Sequence, residues 1–214
     1  DDIKANWPSI MSNVHAVLPF ADSERPMSRP GCWAYPDMLE IGVAGQNGRS
    51  EGGLTPSEER SHFGLWCIVS SPLTLSFDLR NQTILDRVWP IIANPDALAV
   101  SQSWNGHPGR LMDQDKMHQG NSWQIWGKPM PTTVGSIMAG KNYSEAVALL
   151  LLNTAADAQD LSLDLSNYIG ATSTTQVEVR DVWARQDLPS RLQNETVVFP
   201  SVPSHDSVFL LLKV

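Results

Sequence analysis

Apolar positions in the first 110 residues follow a helical period in some stretches and a strand period in others. Trp7, Ile10, Met11, Val14 and Leu18 recur at helical spacing, and Pro8 suits the first turn of the helix they predict. Pro26, Pro30 and Gly31 then break the chain before a short predicted strand at 32–35, which Pro36 ends. Thr55-Pro56-Ser57-Glu58 predicts a helix start, with Thr55 as N-cap, Pro56 at the first position and Glu58 closing a capping box. That helix carries Phe63, Trp66, Cys67 and Ser70 on one face and stops at Pro72. A strand at 73–77 and a helix at 84–92 complete the series. Strands alternating with helices imply an α/β fold with parallel strands.

The second half has another rhythm. Strands are expected at 123–126, 133–138, 146–153, 161–165, 176–182, 196–199 and 207–214, separated by turn-rich segments. About seven such strands without helical periodicity describe an antiparallel β-sandwich. The change falls between Gly109 and Gln119, which divides the chain into an α/β part, 1–112, and an all-β part, 113–214. The longest apolar run, 146–152, is far too short to span a bilayer, so no membrane segment is expected.

Two strand–helix units cannot close a sheet. An open parallel edge leaves backbone groups unpaired and apolar faces uncovered. The α/β part is therefore expected to be the end of a larger domain, completed by polypeptide upstream.

Composition narrows the function. The chain has 15 Lys and Arg against 23 Asp and Glu, a formal charge of −8, which argues against a nucleic-acid partner. Three sequons, at Asn81, Asn142 and Asn194, suggest a glycosylated protein that is secreted or lysosomal/vacuolar. With only Cys32 and Cys67, the chain is no disulfide scaffold. The two cysteines pair with each other, pair with another chain, or remain thiols.

No metalloprotease, redox, serine-hydrolase or nucleotide-binding motif occurs, and the five histidines lack metal-ligand spacing. The glycines from Gly42 to Gly53 shape a loop between strand and helix. Carboxylates at predicted strand ends remain: Asp2, Asp37 and Asp78. Beside Trp33 and Tyr35, such groups suit sugar chemistry, where one acid protonates a leaving oxygen and others hold hydroxyls. The competing interpretation makes them helix caps or solvated charges.

The string Trp33-Ala34-Tyr35-Pro36-Asp37-Met38-Leu39-Glu40-Ile41-Gly42 resembles the Trp-Asn-Asp-Pro-Asp-Met-Leu segment of glycoside hydrolase family 27, the retaining α-galactosidases and α-N-acetylgalactosaminidases. The similarity continues through Thr55–Glu59, His62–Trp66, Ser71–Leu73, Asp78–Arg80 and Asn94–Gln102. It also includes Val179–Ala184 and Val202–His205 in the second half. The resemblance implies the C-terminal part of a (β/α)8 TIM barrel, entered near the end of strand six, followed by an antiparallel β-sandwich. It makes Asp2 the catalytic acid/base, Asp37 a ligand for sugar hydroxyls, and Met38, Trp33 and Tyr35 further substrate contacts. Asp78 and Arg80 would pair structurally, and Trp183 and His205 would pack within the second domain.

Two departures from the family pattern stand out. Tyr35 occupies a position where the family has aspartate, and Ala34 one where it has asparagine. The nucleophilic aspartate belongs to the upstream part of the barrel. The implied function is removal of terminal α-linked galactose or N-acetylgalactosamine, with no cofactor or metal, in partnership with the N-terminal half of the enzyme. A homodimer is compatible with the resemblance. The rival reading is a non-catalytic glycan-binding or structural protein derived from the same fold.

Overall fold

Local signals written in the sequence set each helix start. The computed structural model describes residues 2–21, 25–43, 53–117, 122–133, 145–170 and 175–214. Helix α1 (Trp7–Ala16) begins at Asn6, whose side-chain oxygen accepts from the Ser9 N–H at 3.1 Å, and it buries Trp7, Ile10 and Val14. A single turn, α2 (Leu18–Ala21), follows. Helix α3 (Pro56–Ile68) carries the expected capping box: Thr55 Oγ1 accepts from Glu58 N–H, and Glu58 Oε2 accepts from Thr55 N–H. Helix α4 (Gln82–Ile92) is capped by Asn81, and α5 (Pro95–Gln102) by Asn94.

Sequence periodicity gave α3 one apolar face, yet every residue from Ser61 to Ile68 is buried. The helix is enclosed by α1, α4 and α5 on one side and by the sheet of the second half on the other. A helix with two packed sides has no stripe to show.

The parallel strands expected at 32–35 and 73–77 are reduced, among the described residues, to one parallel bridge between Leu39 and Leu75. Leu39 N–H donates to Thr74 O at 2.8 Å, and Ser76 Oγ donates to Leu39 O. Residues 33–38 carry no ladder pairing. Pro36 has no N–H to offer, and Asp37 sits at a φ of 80°, which turns the backbone out of the extended region.

Among the described residues eight strands build the second half: β1 (Arg110–Gln114), β2 (Trp123–Pro129), β3 (Ala146–Asn153), β4 (Gln159–Asp164), β5 (Gln176–Asp181), β6 (Gln186–Leu192), β7 (Thr196–Val202) and β8 (Ser207–Lys213). A six-stranded antiparallel sheet, ordered β1-β2-β3-β8-β5-β6, faces the two-stranded sheet β4-β7. Neither β1 nor β6 is evident from hydrophobic pattern, because both are polar edge strands with mostly exposed or half-buried side chains. The division expected at 112/113 falls inside β1, which pairs with β2 from Arg110 to Gln114. Of the strand expected at 133–138, all but Thr133 lies outside the described residues.

Strand β3 is buried along its whole length. Ala146, Ala148, Leu150 and Leu152 face the helices, while Val147, Leu149 and Leu151 face β4-β7. Strand β8 divides in the same way, Phe209 and Leu211 to one core, Leu210 and Leu212 to the other. The uninterrupted apolar run thus marks a sheet covered on both faces, with alternate residues serving separate cores.

Polar side chains add specificity to this contact. Arg180 Nε meets Asp96 Oδ2 at 2.7 Å, and Asn94 Nδ2 donates to Val182 O at 2.8 Å. Trp183 lies edge-on to Phe209, within the interface as well as the second domain. His205 departs from expectation: its ring leaves the sandwich, stacks on Trp7 of α1 and meets Glu58 of α3. The two cysteines are not bonded to each other; Cys32 is exposed and Cys67 is buried in the core. Burial pushes the Cys67 thiol well up from its ordinary range.

Candidate active site

The segment 33–38 owes its shape to hydrogen bonds from both neighbouring helices. Asn13 Nδ2 of α1 donates to Pro36 O at 3.1 Å, and Trp66 Nε1 of α3 donates to Asp37 O at 2.8 Å. The Asp37 carboxylate accepts from Met38 N–H through Oδ1 at 2.8 Å and from Ile3 N–H through Oδ2 at 3.0 Å. A non-glycine residue at φ 80° is strained, and such strain persists where surrounding bonds over-determine it. Three groups do so here.

The Ile3 bond ties the main chain next to Asp2 to the Asp37 carboxylate. Asp2 precedes Ile3 directly, is exposed, and is held beside Asp37 through the main chain. Met38 follows Asp37 and is also exposed. Trp33 meets Trp104 edge-on with ring centroids 5.5 Å apart, and Tyr35 is exposed on the same segment. Asp78 stands apart from this group, gripped by both Arg80 Nε and Nη2 at 3.0 Å. The guanidinium holds the Asp78 carboxyl below its usual range, and the geometry is that of a solvated ion pair.

A cavity of about 510 Å³ opens between the first helices and this segment, lined in part by Ala16, Val17, Phe20, Met27, Trp33 and Tyr35, and reaching Asp37. Asp2 and Met38 lie outside its lining.

Sequence reasoning passed over Glu40. Its side chain is buried, and burial raises its carboxyl above the usual range, with Ser76 Oγ at 3.4 Å opposing and the Asp37 charge adding. A carboxylate between Leu39 and Ile41 was the available signal. His62 lies behind it, fully buried, accepting from Glu40 N–H at Nε2 and set edge-on against Trp66. Burial lowers His62 to about 3, so the imidazole is neutral. Among the described residues no group of three or more His, Cys, Asp or Glu side chains could hold a metal ion.

Residues 1–103 match the family model described as alpha galactosidase A, and residues 120–212 match the alpha galactosidase C-terminal beta sandwich domain. The chain belongs to glycoside hydrolase family 27.

Among curated relatives, an α-galactosidase from Oryza sativa subsp. japonica is 27% identical over 99% of this chain and 42% of its own length. An α-N-acetylgalactosaminidase from Rattus norvegicus is 35% identical over 55% of this chain and 26% of its own. A family 27 β-L-arabinopyranosidase structure from Geobacillus stearothermophilus superposes with a TM-score of 0.73 at 19% identity, covering 100% of this chain and 43% of that one. The chain thus spans between about a quarter and two-fifths of these relatives, as the C-terminal portion of a family 27 protein: barrel fragment, then β-sandwich.

Both halves of the family 27 framework are joined where sequence reasoning placed no function. The turn between β7 and β8 lies across the first two turns of α3. Ser61 Oγ donates to His205 O at 2.7 Å, and Arg60 and Ser57 both bind Asp206.

Proposed function

We propose that this chain is the acid/base-bearing portion of a retaining glycosidase that removes terminal α-linked galactose or N-acetylgalactosamine from glycans. The observation that supports the reading is the Ile3-to-Asp37 bond, which ties the main chain next to Asp2 to a strained carboxylate. In this role Asp2 protonates the departing glycosidic oxygen and then, as carboxylate, takes a proton from the attacking water. Asp37 holds a sugar hydroxyl, with Met38, Trp33 and Tyr35 shaping its surroundings. The nucleophile comes from the upstream part of the enzyme, about 5–5.5 Å from the acid.

The cavity beside 33–37 fits this arrangement. It is an apolar groove next to an extended segment without ladder pairing, which suits an upstream barrel strand more than a sugar. Asp2 lies outside it for the same reason: the groove lies between barrel elements, whereas the acid sits at the barrel mouth. The substrate's polar recognition then belongs to the completed barrel.

Asn81 and Asn194 are exposed, which supports their glycosylation in a secreted or lysosomal/vacuolar protein; Asn142 lies outside the described residues. The non-catalytic glycan-binding alternative is not favoured, since the named relatives are glycosidases.

The test uses the full-length protein and a chromogenic α-galactoside. Turnover that Asp2→Asn lowers by about 10³-fold or more supports the assignment. Sugar binding without turnover in the wild-type protein contradicts it.

A further inference from the structure

We infer that His205, a residue of the β-sandwich, is a positioning residue for Asp2 and acts on it through Trp7. The inference rests on the assignment of Asp2 as acid/base. The ring of His205 lies over the Trp7 indole, centroids 4.6 Å apart and planes 13° from parallel. Its own orientation is fixed on the other side, where Nδ1 lies 2.8 Å from Glu58 Oε1. The turn that carries it is immobilised as well. Ser61 Oγ holds the His205 carbonyl at 2.7 Å. Asp206 takes Arg60 Nε at 3.1 Å, a second contact from Arg60 Nη2, and Ser57 Oγ at 3.1 Å.

From Trp7 the constraint passes back along the main chain. Trp7 is the first residue of α1, and Asn6 caps that helix through Ser9 N–H at 3.1 Å. Ser9 Oγ accepts from Lys4 N–H at 2.9 Å, and Asn6 N–H donates to Lys4 O at 2.7 Å. Ile3 N–H ends the series on Asp37. Residues 3 to 6 are thus a short tether between two fixed points: Asp37 at one end, the stacked Trp7 at the other. Asp2, itself exposed, takes its position from that tether.

An acid displaced by about an ångström donates its proton poorly, so the effect should resemble partial loss of the acid itself. A general fault of the fold slows all substrates alike. Loss of proton donation slows formation of the glycosyl-enzyme, the step kcat/KM reports, far more for substrates with poor leaving groups than for activated aryl glycosides, whose leaving groups need no proton.

The experiment measures kcat and KM of the full-length enzyme on an alkyl α-galactoside and on a dinitrophenyl α-galactoside. The controls are wild type, which must turn over, and Asp2→Asn, which must lose kcat/KM selectively on the alkyl substrate. If these controls fail, the functional assignment fails and not the positioning role. With them in place, His205→Ala should lower kcat/KM on the alkyl substrate by about tenfold or more and change kcat/KM on the activated substrate, which reports formation of the glycosyl-enzyme alone, by less than about threefold. His205→Phe restores a ring over Trp7 and should recover most of kcat/KM on the alkyl substrate. Equal loss on both substrates, or no loss, overturns the proposal. If His205→Ala fails to fold, His205→Phe and His205→Asn decide. The proposal requires Phe to keep kcat/KM on the alkyl substrate and Asn, which retains a donor toward Glu58 but has no ring, to lose it. The reverse order overturns it.

Discussion

The main-chain N–H of Ile3 donates to Oδ2 of Asp37 across 3.0 Å, joining residues 34 apart in sequence at the point where Asp2 meets the barrel fragment. The same carboxylate also bonds the Met38 N–H, so Asp37 organises backbone in addition to any contact with sugar.

Asp37→Ala removes both acceptors and leaves a Cβ residue at φ 80°. In the full-length enzyme it should lower kcat/KM by about 10²-fold or more and destabilise the fold by roughly 2 kcal/mol, the scale of a charge-assisted hydrogen bond. Asp37→Gly, free of the strain, should melt higher than Asp37→Ala while remaining as inactive. Thermal unfolding and steady-state kinetics separate the two effects; an Ala variant as active as wild type contradicts them.

His62 makes the fold sensitive to acid. Its pKa is lowered from 6.5 to about 3 by burial, so below pH 6.5 the unfolded chain binds a proton that the folded one refuses. The stabilisation is complete above pH 6.5 and is lost as pH falls toward 3, by about 1.4 kcal/mol per unit within that window. His62→Gln keeps an acceptor for the Glu40 N–H and does not titrate. Urea unfolding at pH 7 and pH 5 should show a loss about 2 kcal/mol larger in wild type than in the variant. Equal losses would remove His62 as the cause.

Lys128 is a buried ammonium that caps α5 from strand β2. Its Nζ donates to Val100 O at 2.6 Å and Ser101 O at 3.1 Å. Burial lowers its pKa to about 8, so between pH 8 and 9 the unfolded chain holds more protons and stability rises with pH. Above pH 9 the raised Cys67 thiol acts in the opposite sense, since the unfolded thiol ionises first. Lys128→Met should destabilise by about 2 kcal/mol at pH 7, leaving two helix-end carbonyls without their donor. It should also flatten the rise between pH 8 and 9; chemical denaturation across that range checks both.

Two glycines mark close approaches, one across the two halves and one within the first. A Cβ at Gly64 would lie 2.3 Å from Leu150 Cδ1 and 3.1 Å from Trp183 Cζ2. At Gly109, with φ 98°, it would lie 2.0 Å from the Ile68 carbonyl oxygen. Gly109→Ala meets backbone and should prevent folding, whereas Gly64→Ala meets side chains that can shift and should destabilise by about 1–3 kcal/mol. Soluble yield and melting temperature of the two variants test that ranking.

Helix starts were the most legible elements, because Asn6-Trp7-Pro8 and Thr55-Pro56-Ser57-Glu58 carry their caps locally. Asn94-Pro95 begins α5 with the same chemistry, but eight residues are too few for a periodic stripe. Strands β1 and β6 were hidden because edge strands have little to bury. The resemblance supplied Asp2 and Asp37, and geometry added their link through Ile3, a backbone bond that no side-chain pattern records. His205 was misplaced since sequence cannot say toward which domain a turn residue points; only the stack on Trp7 reveals it.

The central claim is that Asp2 donates the proton, and chemical rescue tests it most directly. In full-length Asp2→Ala, a dinitrophenyl α-galactoside should still form the glycosyl-enzyme, and added azide should raise turnover by about tenfold or more and yield the α-galactosyl azide. No rescue, or rescue yielding the β-galactosyl azide, would contradict the assignment of Asp2 as the acid/base of a retaining glycosidase.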